Sequence, residues 1–341
     1  MRQIFQYDPL IGYRFIPNLR AYVSHEGGGY LIRTNSQGFR CEHDFVPKKH
    51  LGFKRILLFG DSFTAGDGVS NTKRFGDLIE KKIENLEVYN FGLPGTGTDQ
   101  QYLVYKEYSR EIEHDLMIIA IFVDNIRRVQ AHYRLYYNQN KMKVCYAKPY
   151  FNLVDGKLIL MNVPPRKEPL TKYEISKMGE DHIDEGPPVP KQIHNFLKKA
   201  EDNKLLKRMF VESRLRDMIQ KLIRYQPVPE YNDPQGASWK VMRAILENWI
   251  CNHPKPVVLL PIPFYHHIMK IADCSGYQKR MLEVASELGC HIYDPLPDLF
   301  NYPESDRKEF CFSGDRHFTA NGHSALADNM VPTLNWILKK A

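Results

Sequence analysis

A serine hydroxyl becomes a nucleophile near neutral pH when an imidazole takes its proton and a carboxylate steadies that imidazole. The sequence carries the parts of such an arrangement near its two ends. Phe59-Gly60-Asp61-Ser62-Phe63-Thr64-Ala65-Gly66 follows an apolar run, and Ser313-Gly314-Asp315-Arg316-His317-Phe318 lies close to the C-terminal end. Transfer of an acyl group from an ester is the chemistry these residue types serve, with Ser62 attacking, His317 moving the proton and Asp315 orienting the ring. The same residues also satisfy a plainer reading, in which Gly60-Asp61-Ser62 is an ordinary turn, Asp315 caps another turn and His317 lies on the surface.

The elements that must position these groups are legible from hydrophobic periodicity. Arg55-Ile56-Leu57-Leu58-Phe59 is a short continuous apolar run ending at Gly60, as expected of a strand buried on both faces. Ser62 then falls just beyond the carboxyl end of a parallel strand, where open α/β sheets bind their ligands. Similar runs at 87–91, 116–123, 256–262 and 291–293 alternate with helical patterns at 73–83, 99–110, 238–250, 277–288 and 321–340. This alternation predicts a three-layer α/β/α fold with a central parallel sheet.

The rest of the chain divides around that core. Residues 1–50, rich in Gly, Pro, Asn and Tyr, are expected to form a small irregular β module. The catalytic α/β domain is expected over 51–130 and 236–341. The interval 131–235 is too long for a simple crossover and reads as an insertion, a lid or a substrate module. Its first part is aromatic and irregular, and its second part is basic with near-helical apolar spacing.

Composition narrows the function classes. With 341 residues and 43% hydrophobic content the chain can bury one large core. The net charge of +7 is concentrated at 191–224, where ten Lys and Arg stand against four Asp and Glu. A solvated helical face and contact with an anionic surface are both open for that segment. Cys41, Cys145, Cys251, Cys274, Cys290 and Cys311 form no C-x-x-C pair, so reduced thiols are expected instead of a zinc ribbon or disulfide framework. No 18-residue apolar stretch and no secretory h-region occur, so no transmembrane segment is expected and the location is read as cytoplasmic.

Four features in order give a family resemblance. Asp61-Ser62 follows the first strand, Asn90-Phe91-Gly92-Leu93-Pro94-Gly95 the second and Asn125 the third, and Asp315-x-His317 comes near the end. Together they resemble the four sequence blocks of the SGNH (GDSL-like) hydrolase superfamily, over roughly 51–130 and 240–341. The resemblance implies an SGNH/flavodoxin-like fold, with Ser62 as nucleophile, His317 as general base and Asp315 as its carboxylate. It also implies an oxyanion hole made by the Ser62 and Gly95 N–H groups and the Asn125 side-chain amide. Two departures stand out: the third block reads Phe122-Val123-Asp124-Asn125-Ile126 where the family has Gly-x-Asn-Asp or similar, and Asp315 precedes His317 by two residues where many members have three.

Competing patterns are weaker. The glycines of Gly92-x-x-Gly95-x-Gly97 are not in dinucleotide-binding order, so no cofactor is expected. His266-His267 lacks the spacing of a metal site, and none is assigned. His323 reads as a structural polar contact. The Lys-rich stretches lack the aromatic interleaving of a single-strand nucleic-acid platform, so no nucleic-acid partner is expected.

The expected reaction is removal of an acyl, first of all acetyl, group from a small-molecule or glycan ester through an acyl-enzyme on Ser62. Sugar esters are favoured because the Tyr-rich insertion could stack on pyranose faces, and because the 17–40 segment is similar to leaders of polysaccharide-associated SGNH proteins. An O-acyltransferase using the same site and a catalytically weakened SGNH-fold binding protein are the alternatives, and the oligomeric state is not indicated.

Overall fold

In the computed structural model, residues 4–137, 142–177, 183–184 and 225–340 are described. Two antiparallel hairpins come first, β1 (Phe5–Asp8) with β2 (Gly12–Phe15) and β3 (Arg20–Val23) with β4 (Tyr30–Arg33). They do not stand apart from the rest. Phe15, Tyr30, Ile32, Phe39 and Phe45 are buried in the same core as the central sheet, and the Phe45 ring lies 4.2 Å from that of Phe91.

The strand-and-helix pattern then begins with β5 (Lys54–Phe59), the one-turn helix α1 (Ser62–Ala65), α2 (Phe75–Lys82), β6 (Leu86–Asn90), α3 (Thr98–Tyr108), β7 (Leu116–Phe122) and the short α4 (Asn125–Arg128). Every residue of β7 is buried, as a continuous apolar run between two helical layers requires.

The described part of the insertion is more regular than the sequence suggests. Strands β8 (Tyr133–Tyr137) and β9 (Lys143–Ala147) pair antiparallel, as do β10 (Tyr150–Val154) and β11 (Lys157–Met161). A short helix, α5 (Lys172–Ser176), and β12 (Ile183–Asp184), which lies parallel to β8, follow. The expectation of an irregular aromatic stretch is thus corrected for its first part. Asp155-Gly156 was the overlooked signal: both residues have positive φ, 49° and 75°, the two-residue turn that suits the twist of a hairpin. The basic segment 191–224 lies outside the described residues.

The chain returns to the sheet through α6 (Ala237–Cys251), β13 (Val257–Ile262), α7 (Tyr265–Ile268), α8 (Ser275–Leu288) and β14 (His291–Ile292). It closes with α9 (Leu296–Leu299), α10 (Glu304–Lys308) and the long α11 (Ala320–Leu338). The sheet is parallel throughout, in the order β14-β13-β7-β5-β6. Counted along the sequence this is the doubly wound order 2-1-3-4-5, whose direction reverses between β5 and β7. Neighbouring residues of β5 show that both faces are covered. Leu58 lies under Gly76 of α2, whereas the Phe59 ring packs edge-on to Trp249 of α6 at 5.3 Å. The reversal lies where β5 and β7 end, just before Ser62 and Asn125.

Candidate active site

Ser62 sits at the first position of α1, where helix geometry leaves its N–H without an intrahelical acceptor. Asp61 caps this helix by accepting the Phe63 N–H at 3.1 Å. Gly60 has no room for a side chain, because a Cβ there would fall 2.0 Å from Thr64 Oγ1 and 3.1 Å from the Ala120 carbonyl. The close approach lets the chain turn from β5 into α1 and leaves Ser62 almost wholly buried at the sheet's carboxyl edge. Asn90, at the end of β6, ties the second strand to this turn by donating to the Thr64 carbonyl at 2.9 Å and accepting the Gly92 N–H.

His317 approaches from the loop before α11. Its Nε2 lies 2.7 Å from Ser62 Oγ, and its ring packs 4.8 Å from that of Phe63. Asp315 Oδ2 lies 3.0 Å from Nδ1, on the side of the ring away from Ser62. Asp315 Oδ1 accepts the His317 backbone N–H at 3.0 Å. Between them Arg316 adopts a left-handed φ of 66°, its guanidinium held over the Tyr265 ring. The two-residue spacing therefore still brings Asp315 and His317 together.

The charges of this group are strongly shifted. Burial acts to raise the Asp315 carboxyl, but hydrogen bonding and charge from His317, together with the bond from His25, hold it far below the usual carboxylate range. Burial acts to lower the His317 imidazole, but the hydrogen bond that Asp315 accepts from it and the charges of Asp67, Asp315 and Asp61 outweigh burial, so its pKa is raised. Asp67 is pushed up by desolvation.

Gly95 lies in the turn after β6, and Asn125 opens α4 after β7. Leu93-Pro94-Gly95-Thr96 is a type II turn closed by the Thr96 N–H to the Leu93 carbonyl, and φ of 80° at Gly95 is the conformation that turn demands. Asn125 is fully buried, with its Oδ1 accepting from Arg128 at 3.0 Å and its Nδ2 without a hydrogen-bond partner among the described residues. A buried unpaired amide donor is costly unless something binds to it. Arg128 Nη1 also donates to Asp61 Oδ2 at 2.8 Å and to the Thr96 carbonyl at 3.3 Å. One guanidinium thus joins the loops after β5, β6 and β7.

Comparison with known proteins yields structural likeness only. No family model matches, and no curated protein matches. Among solved structures, a member of the lipolytic protein G-D-S-L family from Veillonella parvula aligns with 11% identity, covering 83% of this chain and 98% of that one with a TM-score of 0.42. A lipase/acylhydrolase from Enterococcus faecalis aligns with 16% identity over 83% and 96% of the two chains, again with a TM-score of 0.42. A carbohydrate acetylesterase family member from Sinorhizobium meliloti aligns with 10% identity over 84% and 100%, with a TM-score of 0.34.

Sequence reading missed the residues that brace these loops from the N-terminal hairpins. The Tyr13 hydroxyl donates to the Pro94 carbonyl beside Gly95. Arg40, fully buried, donates from Nη1 to the Ala65 and Gly66 carbonyls, both at 2.7 Å, and from Nη2 to Val69, capping the C-terminal end of α1. His25 Nε2 lies 2.7 Å from Asp315 Oδ2, and Glu26 accepts from the Gly314 and Asp315 N–H groups and the Ser313 hydroxyl. Arg128, three positions after Asn125 on one helical turn, was the only one with a local spacing signal.

The remaining histidine and cysteine expectations meet definite structure. His323 Nδ1 accepts the Phe75 N–H at 3.2 Å, and burial lowers its pKa to about 3. His267 accepts the Phe264 N–H within the first turn of α7. All six cysteines are free. Among the described residues no helix is long and apolar enough to cross a membrane.

Proposed function

We propose that the chain is an SGNH-type serine esterase that removes an acyl group, in the first instance acetyl, from a hydroxylated carbohydrate substrate. The observation that carries this reading is the 2.7 Å contact between His317 Nε2 and Ser62 Oγ, with Asp315 3.0 Å behind the ring. In the proposed reaction Ser62 Oγ attacks the ester carbonyl carbon while its proton passes to His317 Nε2. The negative charge that develops on the carbonyl oxygen is met by the Ser62 and Gly95 N–H groups and by Asn125 Nδ2. Donors already fixed where charge develops need no reorganisation, and each is worth about 3 kcal/mol of barrier. The C–O bond to the alcohol then breaks, the alcohol takes the proton from His317, and water repeats the sequence to release the acid.

The carbohydrate assignment rests on aromatic side chains of the insertion near the oxyanion turn. Tyr13 packs edge-on to Tyr136, and Tyr136 to Tyr146, each with rings 6.0 Å apart. Such rings offer flat apolar faces with polar tips, which suits sugar recognition.

Labelling with a fluorophosphonate and turnover of p-nitrophenyl acetate test the reading. Labelling confined to Ser62, lost in Ser62→Ala, is expected. Because neutral His317 is the base and its pKa is raised, kcat/KM should fall on the acid side with a midpoint above the ordinary histidine value of about 6.5. Folded protein that neither takes the label nor turns over the ester overturns the proposal.

A further inference from the structure

Two imidazoles share one carboxylate oxygen: Asp315 Oδ2 is 2.7 Å from His25 Nε2 and 3.0 Å from His317 Nδ1. Resting on the acyl-enzyme reading above, we propose that His25 is a positioning residue, whose ring donates from Nε2 to hold Asp315 and temper its pull on His317. The tautomer follows from its other nitrogen. Nδ1 accepts the Gly27 N–H at 3.4 Å, which leaves the ring proton on Nε2, facing the carboxylate.

The ring is held in place by packing. It stands edge-on to Phe312 at 4.5 Å and to Tyr30 at 5.9 Å, and its side chain is only 13% exposed. Glu26, the next residue, clamps the loop that carries Asp315 through the Gly314 and Asp315 N–H groups, which in turn hold its carboxyl below the usual range. The ligand atoms of His25, Glu26 and Asp315 lie within 4.8 Å of one another, and each is engaged by these protein contacts. His25 makes no polar contact with Ser62 among the described residues, so it acts through Asp315.

A carboxylate bonded to two donors is less basic than one bonded to a single donor. Removing His25 therefore strengthens the attraction of Asp315 for protonated His317 and frees the carboxylate to turn away from Nδ1. The other titratable groups coupled to the pair are Asp61, Asp67, Glu26, Tyr30, Cys311 and His323, and Arg316 lies between the two in the chain; all are kept in the substitutions below.

His25→Phe keeps a packed ring and deletes the donor, whereas His25→Gln places an amide N–H near the position of Nε2. In the full chain, His25→Phe is expected to lower kcat for p-nitrophenyl acetate on the order of tenfold, the size of one hydrogen bond to a charged group, with KM unchanged. The acid limb of kcat/KM should move to higher pH, and His25→Gln should restore both. Thermal melts establish that each variant folds, and the His317 ring titration followed by NMR gives a readout independent of turnover, with a higher midpoint expected in His25→Phe.

A His25→Phe enzyme with wild-type kcat and pH profile overturns the proposal. So does a His25→Gln enzyme as impaired as His25→Phe, or activity lost to EDTA and restored by Zn²⁺. Wild-type protein that takes no fluorophosphonate label sinks the acyl-enzyme reading instead, and the NMR midpoint still decides the role of His25.

Discussion

The carboxyl edge of the sheet and the N-terminal hairpins contribute to the same group of residues in different ways. The loops after β5, β6 and β7 present Ser62, Gly95 and Asn125, the groups that would meet a substrate. The hairpin region presents Tyr13, His25, Glu26 and Arg40, each of which contacts a loop of the site. A parallel sheet ends in loops, and loops hold a geometry only when their backbone groups are tied down. The contrast separates residues expected to act on the reaction from residues expected to act on the shape that permits it.

Substitutions on the two sides should therefore differ in kind. Asn125→Ala removes a side-chain donor from the proposed oxyanion hole, and kcat for p-nitrophenyl acetate should drop by about 10²- to 10³-fold with KM little changed. Arg40→Ala deletes three carbonyl contacts of a fully buried guanidinium. It should cost about 3 kcal/mol of stability, read from the urea midpoint at constant m-value, with activity falling in proportion to the loss of folded protein. Tyr13→Phe leaves the ring and removes one bond to Pro94, so about 1 kcal/mol of stability and a few-fold loss of kcat are expected. An Asn125→Ala enzyme with normal turnover but a lowered urea midpoint would dissolve the division.

Buried histidines extend the contrast to pH. His323, whose pKa is lowered to about 3, stays neutral in the folded state where an unfolded histidine takes up a proton below about 6.5. The unfolded chain then binds more protons, so stability is full above pH 6.5 and falls as pH drops toward 3. Thermal melts between pH 7 and pH 5 should show this decline, and His323→Gln should make it shallower.

Much of the central domain was legible because its signals are local. Buried parallel strands are continuous apolar runs, and β5, β7 and β13 lie where such runs occur. The hairpin of β10 and β11 is equally local, marked by Asp155-Gly156 inside a stretch whose aromatic composition alone suggests irregular structure. The separation of 1–50 as a module was a different matter: composition marks where the chain changes character, but says nothing about Phe39 and Phe45 packing on Phe91.

By itself the sequence determined the alternation of strands and helices and placed a serine just past the first central strand, because hydrophobic period and glycine turns depend on near neighbours alone. It could also pair Asp315 with His317, two residues apart. Only the tertiary structure decided that His317 meets Ser62, 255 positions away, and that His25 meets Asp315 across 290. Contacts at such separations are set by how the sheet is wound and how the hairpins dock, and no local pattern encodes them.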